Sequence, residues 1–289
     1  MSDGIGNAET EKSFFGHTQF FGGNTFLFST QFDMMKVTFL GTGTSQGVPV
    51  IACNCGVCSS ADSHDRRLRT SALLQIGDKN ILIDIGPDFR EQMLRTRTMH
   101  LDAILITHHH RDHVAGIDDI RSFNYVQNKP MDIYSGPITL DVLQCDYHYI
   151  FEKHQFSGLP EANLHPVDKA LTFDVADNIA VTPIAVMHKD LPIFGYRIGD
   201  FAYITDANYI SDAEMAKLQG TKTLVINALR KQKHFSHFCL PEALEVIRRI
   251  NPEKAYITHI SHMMGLHAEV QKELPPNVHL AYDGLTITA

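Results

Sequence analysis

The run His108-His109-His110-Arg111-Asp112-His113 follows directly on the apolar segment Ala103–Thr107, and this junction restricts the architecture more than any other stretch of the chain. A buried strand that ends in a loop holds its first side chain on rigid scaffold and lets the following turn aim others at the same point. Strand alternation sends His108 and His110 to one side and His109 to the other, while Asp112 and His113 come round with the turn into the next helix. Imidazoles joined by a carboxylate are ligands for zinc, manganese or iron rather than calcium or magnesium. The competing reading is a solvated His-rich loop, and His109 alone reads as a bystander. The chain carries 17 histidines in 289 residues, several within a few positions of each other, so metal chemistry is the first hypothesis.

Short β-rich apolar runs alternate with amphipathic stretches from Lys36 onward. Strands are expected at 36–40, 71–76, 81–85, 103–107, 131–135, 170–174, 179–187, 194–198, 201–205, 223–227, 255–258 and 278–282. Helices are expected at 88–96, 116–127, 138–151, 211–219, 240–250 and 267–274. The segment 240–250 is the clearest: Leu240, Leu244, Ile247 and Ile250 share one face, and Pro241 suits the first turn. Strands interspersed with helices, and no repeat, predict an α/β fold with sheets covered by helices. Residues 1–34 differ, carrying seven phenylalanines among Gly, Ser, Thr, Asn and Gln without periodicity. They are expected to be an extension, with the native product starting at Met34 or Met35; an arm packing its Phe side chains on a neighbour is the alternative. Residues 35–289 then form one domain.

A formal net charge of −8 gives no global basic field, which argues against general nucleic-acid affinity and leaves only a local basic patch as a route to it. No apolar run is long enough to span a membrane, and no basic segment followed by an apolar run opens the chain, so a cytoplasmic protein is expected. Of five cysteines, Cys53, Cys55 and Cys58 crowd into six residues, and in a reducing compartment such a cluster points to metal before disulfide. Cys145 and Cys239 stand apart and are expected to be buried small apolar residues.

The segment Ile106–Gly116, ITHHHRDHVAG, resembles the metal-binding motif of the metallo-β-lactamase superfamily. Other marks follow in order: Leu82-Ile83-Asp84-Ile85-Gly86 resembles its buried strand with a supporting Asp, while His188, Asp206 and His259 each end an apolar run. The resemblance implies an αββα sandwich of two mixed sheets between helices. It also implies that His108, His110 and His188 bind one ion, that Asp112, His113 and His259 bind another, and that Asp206 bridges them. Two such cations would share and acidify a water and neutralise charge on attacking and leaving oxygens. Asp84 would orient a ligand by hydrogen bond, with a strand-end cap ahead of Pro87 as the alternative.

Gly41-Thr42-Gly43 through Cys58, taken with Thr258-His259-Ile260-Ser261-His262, resembles the phosphodiesterases of the carbon–phosphorus lyase pathway. That resemblance implies a structural zinc on Cys53, Cys55, Cys58 and His262, beside two catalytic ions that are zinc or manganese. A disulfide and unligated thiols are the alternatives. His237 would contact the phosphate or protonate the leaving oxygen, Asp112 would serve the catalytic centre as well as bind metal, and His234 is expected at the surface. Arg111, Lys189, Arg230, Lys231 and Lys233 could supply positive charge or be ordinary solvated groups. Thr42–Gly47 could present N–H groups to an anion or serve as a turn leading to the cysteine loop.

The expected activity is hydrolysis of a small phosphodiester by a two-metal-activated water, with a phosphoribosyl cyclic phosphate as the implied example. The rivals are a transfer-RNA 3′-processing nuclease, against which stand Arg111 and the acidic balance, and a non-catalytic relative of the quinone-cofactor biosynthesis type. A β-lactamase or thioester hydrolase fits less well, given the extra cysteine site. Retention of all seven expected ligands argues for an enzyme. The oligomeric state, a homodimer among the options, is not fixed by the sequence.

Overall fold

The computed structural model describes residues 34–151 and 158–289. The expected extension over residues 1–34 lies outside the described residues except for Met34. The first half supplies β1 (Lys36–Gly41), β2 (Ser71–Ile76), β3 (Lys79–Ile83), β4 (Ala103–Leu105), β5 (Met131–Ser135) and β6 (Ala162–Pro166). The second half supplies β7 (Phe173–Val175), β8 (Ile179–His188), β9 (Leu191–Ile198), β10 (Phe201–Ile204) and β11 (Tyr209–Ile210). It closes with β12 (Thr223–Asn227), β13 (Lys254–Thr258), β14 (Val278–Leu280) and β15 (Thr286–Thr288). Helices are α1 (Phe89–Thr96), α2 (Arg111–Val114), α3 (Arg121–Gln127), α4 (Pro137–Asp146), α5 (His148–Phe151), α6 (Asp212–Lys217), α7 (Leu240–Ile250) and α8 (His267–Glu273).

Two sheets result. One has seven strands in the order β15-β1-β2-β3-β4-β5-β6; the other has eight, β11-β8-β9-β10-β12-β13-β14 with β7 also on β8. Both are mixed: β3 through β6 run parallel, as do β10, β12, β13 and β14, while β1, β2 and β3 pair antiparallel.

Residue alternation sorts the apolar side chains into three layers. Phe39, Leu74, Ile81, Ile83 and Leu105 from the first sheet meet Tyr196, Phe201, Tyr203, Val225 and Tyr256 from the second, forming the seam between sheets. The opposite faces, Leu73, Leu82 and Ile104 on one side and Ala202, Ile204, Leu224 and Ile226 on the other, are covered by helices. Phe89, Met93, Phe123, Leu140 and Leu143 cover the first, and Met215, Ala243, Ile247 and Val270 the second. This is the expected αββα sandwich. Among the described residues no helix is long and apolar enough to cross a membrane.

Departures from expectation have local causes. The stretch 116–127 splits into a 3-10 turn over Ile117–Ile120 and α3, and 138–151 splits into α4 and α5 at Tyr147. β6 goes beyond the expected strands because Pro160 precedes it and Pro166 ends it, yet it is the edge of its sheet, where proline is tolerated. Cys239 is buried as expected, but Cys145 is exposed, because it turns away from the face of α4 that buries Leu140 and Leu143.

Candidate metal centre

Four strands deliver their carboxyl ends to one rim of the sandwich. β4 leads to His108, β8 ends on His188, β10 leads to Asp206, and β13 leads to His259. Asp84, Asp206 and His259 all hold left-handed backbone, with φ of 61°, 58° and 54°. Each lies just past a strand end, where the chain must turn sharply to point its side chain at the rim. Such conformations cost about 1–3 kcal/mol for residues other than glycine, and they persist where the surroundings fix them.

Close approach on the other side depends on glycine. A Cβ at Gly86 would stand 2.2 Å from the Asp112 carbonyl oxygen, and one at Gly116 2.3 Å from the Gly86 oxygen. With those positions bare, Ile85 donates its N–H to the His113 carbonyl at 2.8 Å and Gly116 donates to Ile85 at 2.9 Å. The loop after β3 is thereby laced to α2, which carries Asp112 and His113.

The side chains converge in two groups. His108, His110, His188 and Asp206 each offer a ligand atom within 4.8 Å of the others; Asp112, His113, Asp206 and His259 do the same. Asp206 belongs to both. Its Oδ1 lies 3.0 Å from His259 Nε2, and its Oδ2 lies 3.4 Å from His113 Nε2 and 3.7 Å from His108 Nε2. Asp112 Oδ2 stands 3.2 Å from His113 Nε2 and 3.5 Å from His259 Nε2.

His113 Nε2 and His259 Nε2 are buried and make no hydrogen bond despite the nearby carboxylates. They aim at a common point rather than at a partner. A buried unpaired nitrogen costs about 1–3 kcal/mol, so two of them facing two carboxylates fit a cation and little else.

A buried hydrogen-bond chain sets which ring nitrogens face inward. His113 donates its Nδ1–H to Asp84 Oδ2 at 2.7 Å. Thr107 donates its N–H to Asp84 Oδ1 at 2.8 Å and its hydroxyl to Oδ2 at 3.0 Å, and that hydroxyl is 3.0 Å from His108 Nδ1. His188 Nδ1 is held by the Ser236 carbonyl at 2.8 Å. The Asp84 carboxylate bonds to His113 and Thr107 rather than capping the turn at Pro87.

Burial, reinforced by neighbouring His113, lowers His108 well below the usual imidazole range, and burial with His188 lowers His110. Both are then neutral, the form that ligates. Burial opposes ionisation of Asp206, but His259 and His113 outweigh it and hold the carboxyl well below its usual range.

His237 also reaches the rim. Its Nε2 is 3.4 Å from Asp206 Oδ2, and its ring stacks on His259 at 5.0 Å. Burial pushes it down to about 4. His234 is half-buried rather than at the surface, because Ser236 and His237 engage it, with its Nδ1 3.2 Å from His237 Nδ1. The other expected cations are mostly committed: Arg111 to Asp146 and Tyr147, Arg230 to backbone carbonyls, Lys231 to Glu273. Lys189 and Lys233 remain largely solvated. His109 projects away from both groups, its Nδ1 unpaired.

Three residues that hold this rim escape reasoning from sequence. Asn227 accepts the Ala207 N–H at 2.8 Å and donates to its carbonyl at 2.9 Å, fixing the turn that carries Asp206. Asn208 accepts the Lys189 N–H at 2.8 Å and donates to the Phe235 carbonyl at 3.1 Å. Ser236 holds His188. The one available signal is that Asn227 ends a parallel strand level with the ligands.

The cysteine loop forms a third group. Cys53, Cys55 and Cys58 place Sγ at 3.4, 3.3 and 3.5 Å from His262 Nδ1. Tetrahedral zinc with ordinary Zn–S and Zn–N lengths separates such atoms by about 3.6 Å, so the donor set matches a structural zinc in kind and spacing. The Cys58 N–H and His262 lower Cys55 to about 6, while burial raises Cys58 to about 11. The Thr42–Gly47 loop is a connector to this group. Gly43 N–H goes to Leu68 and Thr44 N–H to Ile260, which leaves neither for an anion.

The sequence profile of the beta-lactamase superfamily domain matches residues 79–260, and the chain belongs to that superfamily. Within it the chain belongs to the PhnP family: it is 38% identical to a solved diphosphatase of that family, at a TM-score of 0.83, over 89% of this chain and 97% of that one. It is also 42% identical to an octanoyltransferase of Porphyromonas gingivalis over 87% of this chain, but it spans only 51% of that protein. A coenzyme PQQ synthesis protein B of Methylobacterium nodulans is 34% identical over 39% of this chain and 44% of its own length. Human tRNase Z, at 18% identity and a TM-score of 0.64, shares the fold. The chain thus belongs to the metallo-β-lactamase superfamily and carries its fold.

Proposed function

We propose that the chain hydrolyses a small phosphodiester or diphosphate, with a phosphoribosyl cyclic phosphate as one candidate. The observation that carries this is the pair of ligand groups sharing Asp206, with His237 alongside. His108, His110 and His188 would hold one divalent ion, Asp112, His113 and His259 a second, and Asp206 would lie between them. A pair of zinc or manganese ions so held supplies an acidified water and neutralises charge on a phosphoryl group.

The chain's own residues do the rest. Asp84 and Ser236 hold His113, His108 and His188 in the tautomers that face the centre, so no ring need turn as substrate binds. His237 stands where it can contact a phosphoryl oxygen or pass a proton to a departing alkoxide. The cysteine loop and His262 would take a third, structural zinc, which would tie the segment after β1 to the segment carrying His259. The 38%-identical diphosphatase supports this reading. The octanoyltransferase does not displace it, because half of that protein lies outside the match.

The test is metal analysis of the purified chain coupled to turnover of a panel: cyclic ribose phosphates, linear alkyl diesters, nucleoside diphosphate esters, a transfer-RNA precursor and an octanoyl thioester. Hydrolysis confined to the small phosphate esters, requiring two ions besides the cysteine-held one, is the expected outcome. Preferred cleavage of the RNA or the thioester overturns it.

A further inference from the structure

We propose that Phe235 and Lys189 form a shelf at the mouth of the centre that stacks a nucleobase, so that the preferred substrates are nucleoside diphosphate esters. This rests on the hydrolytic reading above and names the substrate class of that site.

Phe235 is 69% exposed, an expensive placement for a large apolar ring unless something covers it. It is also held in place. Its carbonyl accepts the Asn208 amide at 3.1 Å, and the same Asn208 accepts the Lys189 N–H at 2.8 Å, so one side chain joins the two segments. A second tie lies one residue along on each side, where Ser236 holds His188 at 2.8 Å. An exposed aromatic on a doubly tied loop is a prepared surface.

The placement is specific to the site. Lys189 follows His188 at the tip of the hairpin joining β8 to β9, with left-handed backbone at φ 56°. Its Nζ stands 5.9 Å from the centre of the Phe235 ring. The His234 ring packs against Phe235 with centroids 4.4 Å apart and leads to His237. A flat ring lying on the face of Phe235 that His234 leaves open would displace the Lys189 ammonium from above it, and a phosphate chain running along His234 would lead towards His237 and the metal groups. The ammonium of Lys189, whose neighbour Asp190 is itself 89% exposed at 3.6 Å and so pairs with it only weakly, is free to face that chain. Aromatic stacking tolerates any base because every base has a π-face, which predicts selectivity for nucleotides as a class and little choice among bases.

The experiment compares the zinc-loaded full chain with Phe235→Ala, Phe235→Trp and Lys189→Met. Two substrates are used, ADP-ribose and a dialkyl diphosphate without a base, and binding of ADP is followed separately by calorimetry. Phe235→Ala is expected to lower the ratio of kcat/KM for ADP-ribose over the base-free diphosphate by roughly tenfold and to weaken ADP binding to a similar extent. Phe235→Trp should restore both, and Lys189→Met should weaken ADP binding and flatten its salt dependence. A ratio and an ADP affinity unchanged by Phe235→Ala overturn the shelf while leaving the hydrolytic reading intact. Phe235-dependent ADP binding without hydrolysis of either substrate would support the shelf and overturn the diphosphate part of the hydrolytic reading instead.

Discussion

The carboxylate of Asp84 accepts the Nδ1–H of His113 at 2.7 Å, in a contact from which both side chains are fully excluded from solvent. The same carboxylate also reaches His108, through the hydroxyl of Thr107. One buried acid therefore orients an imidazole in each half of the centre without itself touching either proposed ion. Such orienting partners are typically worth 10- to 100-fold in metal affinity.

Asp84→Asn should preserve the fold and shape but offer an amide N–H where one ring must donate. Metal affinity is expected to fall about 10- to 100-fold, measured by competition with a chromogenic chelator. Because both halves depend on Asp84, the loss should appear in the occupancy of both ions. An unchanged affinity would show that the hydrogen bonds are incidental.

Asp206 stands in both ligand groups, whereas His110 and His259 each stand in one. Asp206→Ala should therefore abolish turnover and reduce both occupancies, while His110→Ala and His259→Ala each reduce one more than the other. Metal counting on the three variants distinguishes a shared ligand from two independent sites. Two ions retained with full turnover in Asp206→Ala would remove the shared role.

The cysteine group predicts a graded thiol chemistry. In the chelator-stripped protein Cys55 should become nucleophilic first, because its depressed value near 6 means that thiolate accumulates as the pH rises through 6, whereas Cys58 stays protonated up to about 11. Alkylation mapped by mass spectrometry between pH 5 and pH 9 should mark Cys55 before Cys58. Added zinc should protect both. Cys55→Ser is expected to lower the melting temperature and the zinc content by one ion before it alters turnover, since a closed thiolate site holds its metal more tightly than an open one. An unchanged melting temperature with no zinc lost would count against the site.

Much of this arrangement is legible in the amino-acid sequence. The ligands sit where apolar runs stop, and strands 71–76, 131–135 and 223–227 and helix 240–250 have the bounds their periodicity predicts. Strand ends are legible because burial on both faces of a parallel sheet writes continuous apolar sequence. What stays hidden depends on tertiary partners. Asn227 and Asn208 look like ordinary polar residues until the turns they tie are in place, and Ser236 acts through its backbone carbonyl, which no side-chain pattern reports. β15 escapes notice because its three residues carry too little pattern, and it forms only by pairing with β1. His234 reads as surface because His237 matches the position the resemblance implies better, while the His234 ring turns inward to Ser236 and His237.

His237 stands 3.4 Å from Asp206 and against the ring of His259, close enough to serve the reacting phosphate and absent from both ligand groups. Removing it should therefore leave metal content intact. A departing alkoxide is a poor leaving group unless it gains a proton; His237, pushed down to about 4 by burial, becomes a donor only when the anionic phosphate beside it raises that value, and a positioned proton donor is worth about 10² to 10⁴ in rate. His237→Ala is accordingly expected to slow alkyl phosphodiesters by that order. A nitrophenyl ester, whose leaving group hardly needs the proton, should lose far less, so the two substrates separate the roles in one experiment. Equal loss on both would assign His237 to binding the phosphate rather than donating a proton. No loss on either would make it a loop residue, and His234, 3.2 Å away through its Nδ1, would be the next histidine to substitute.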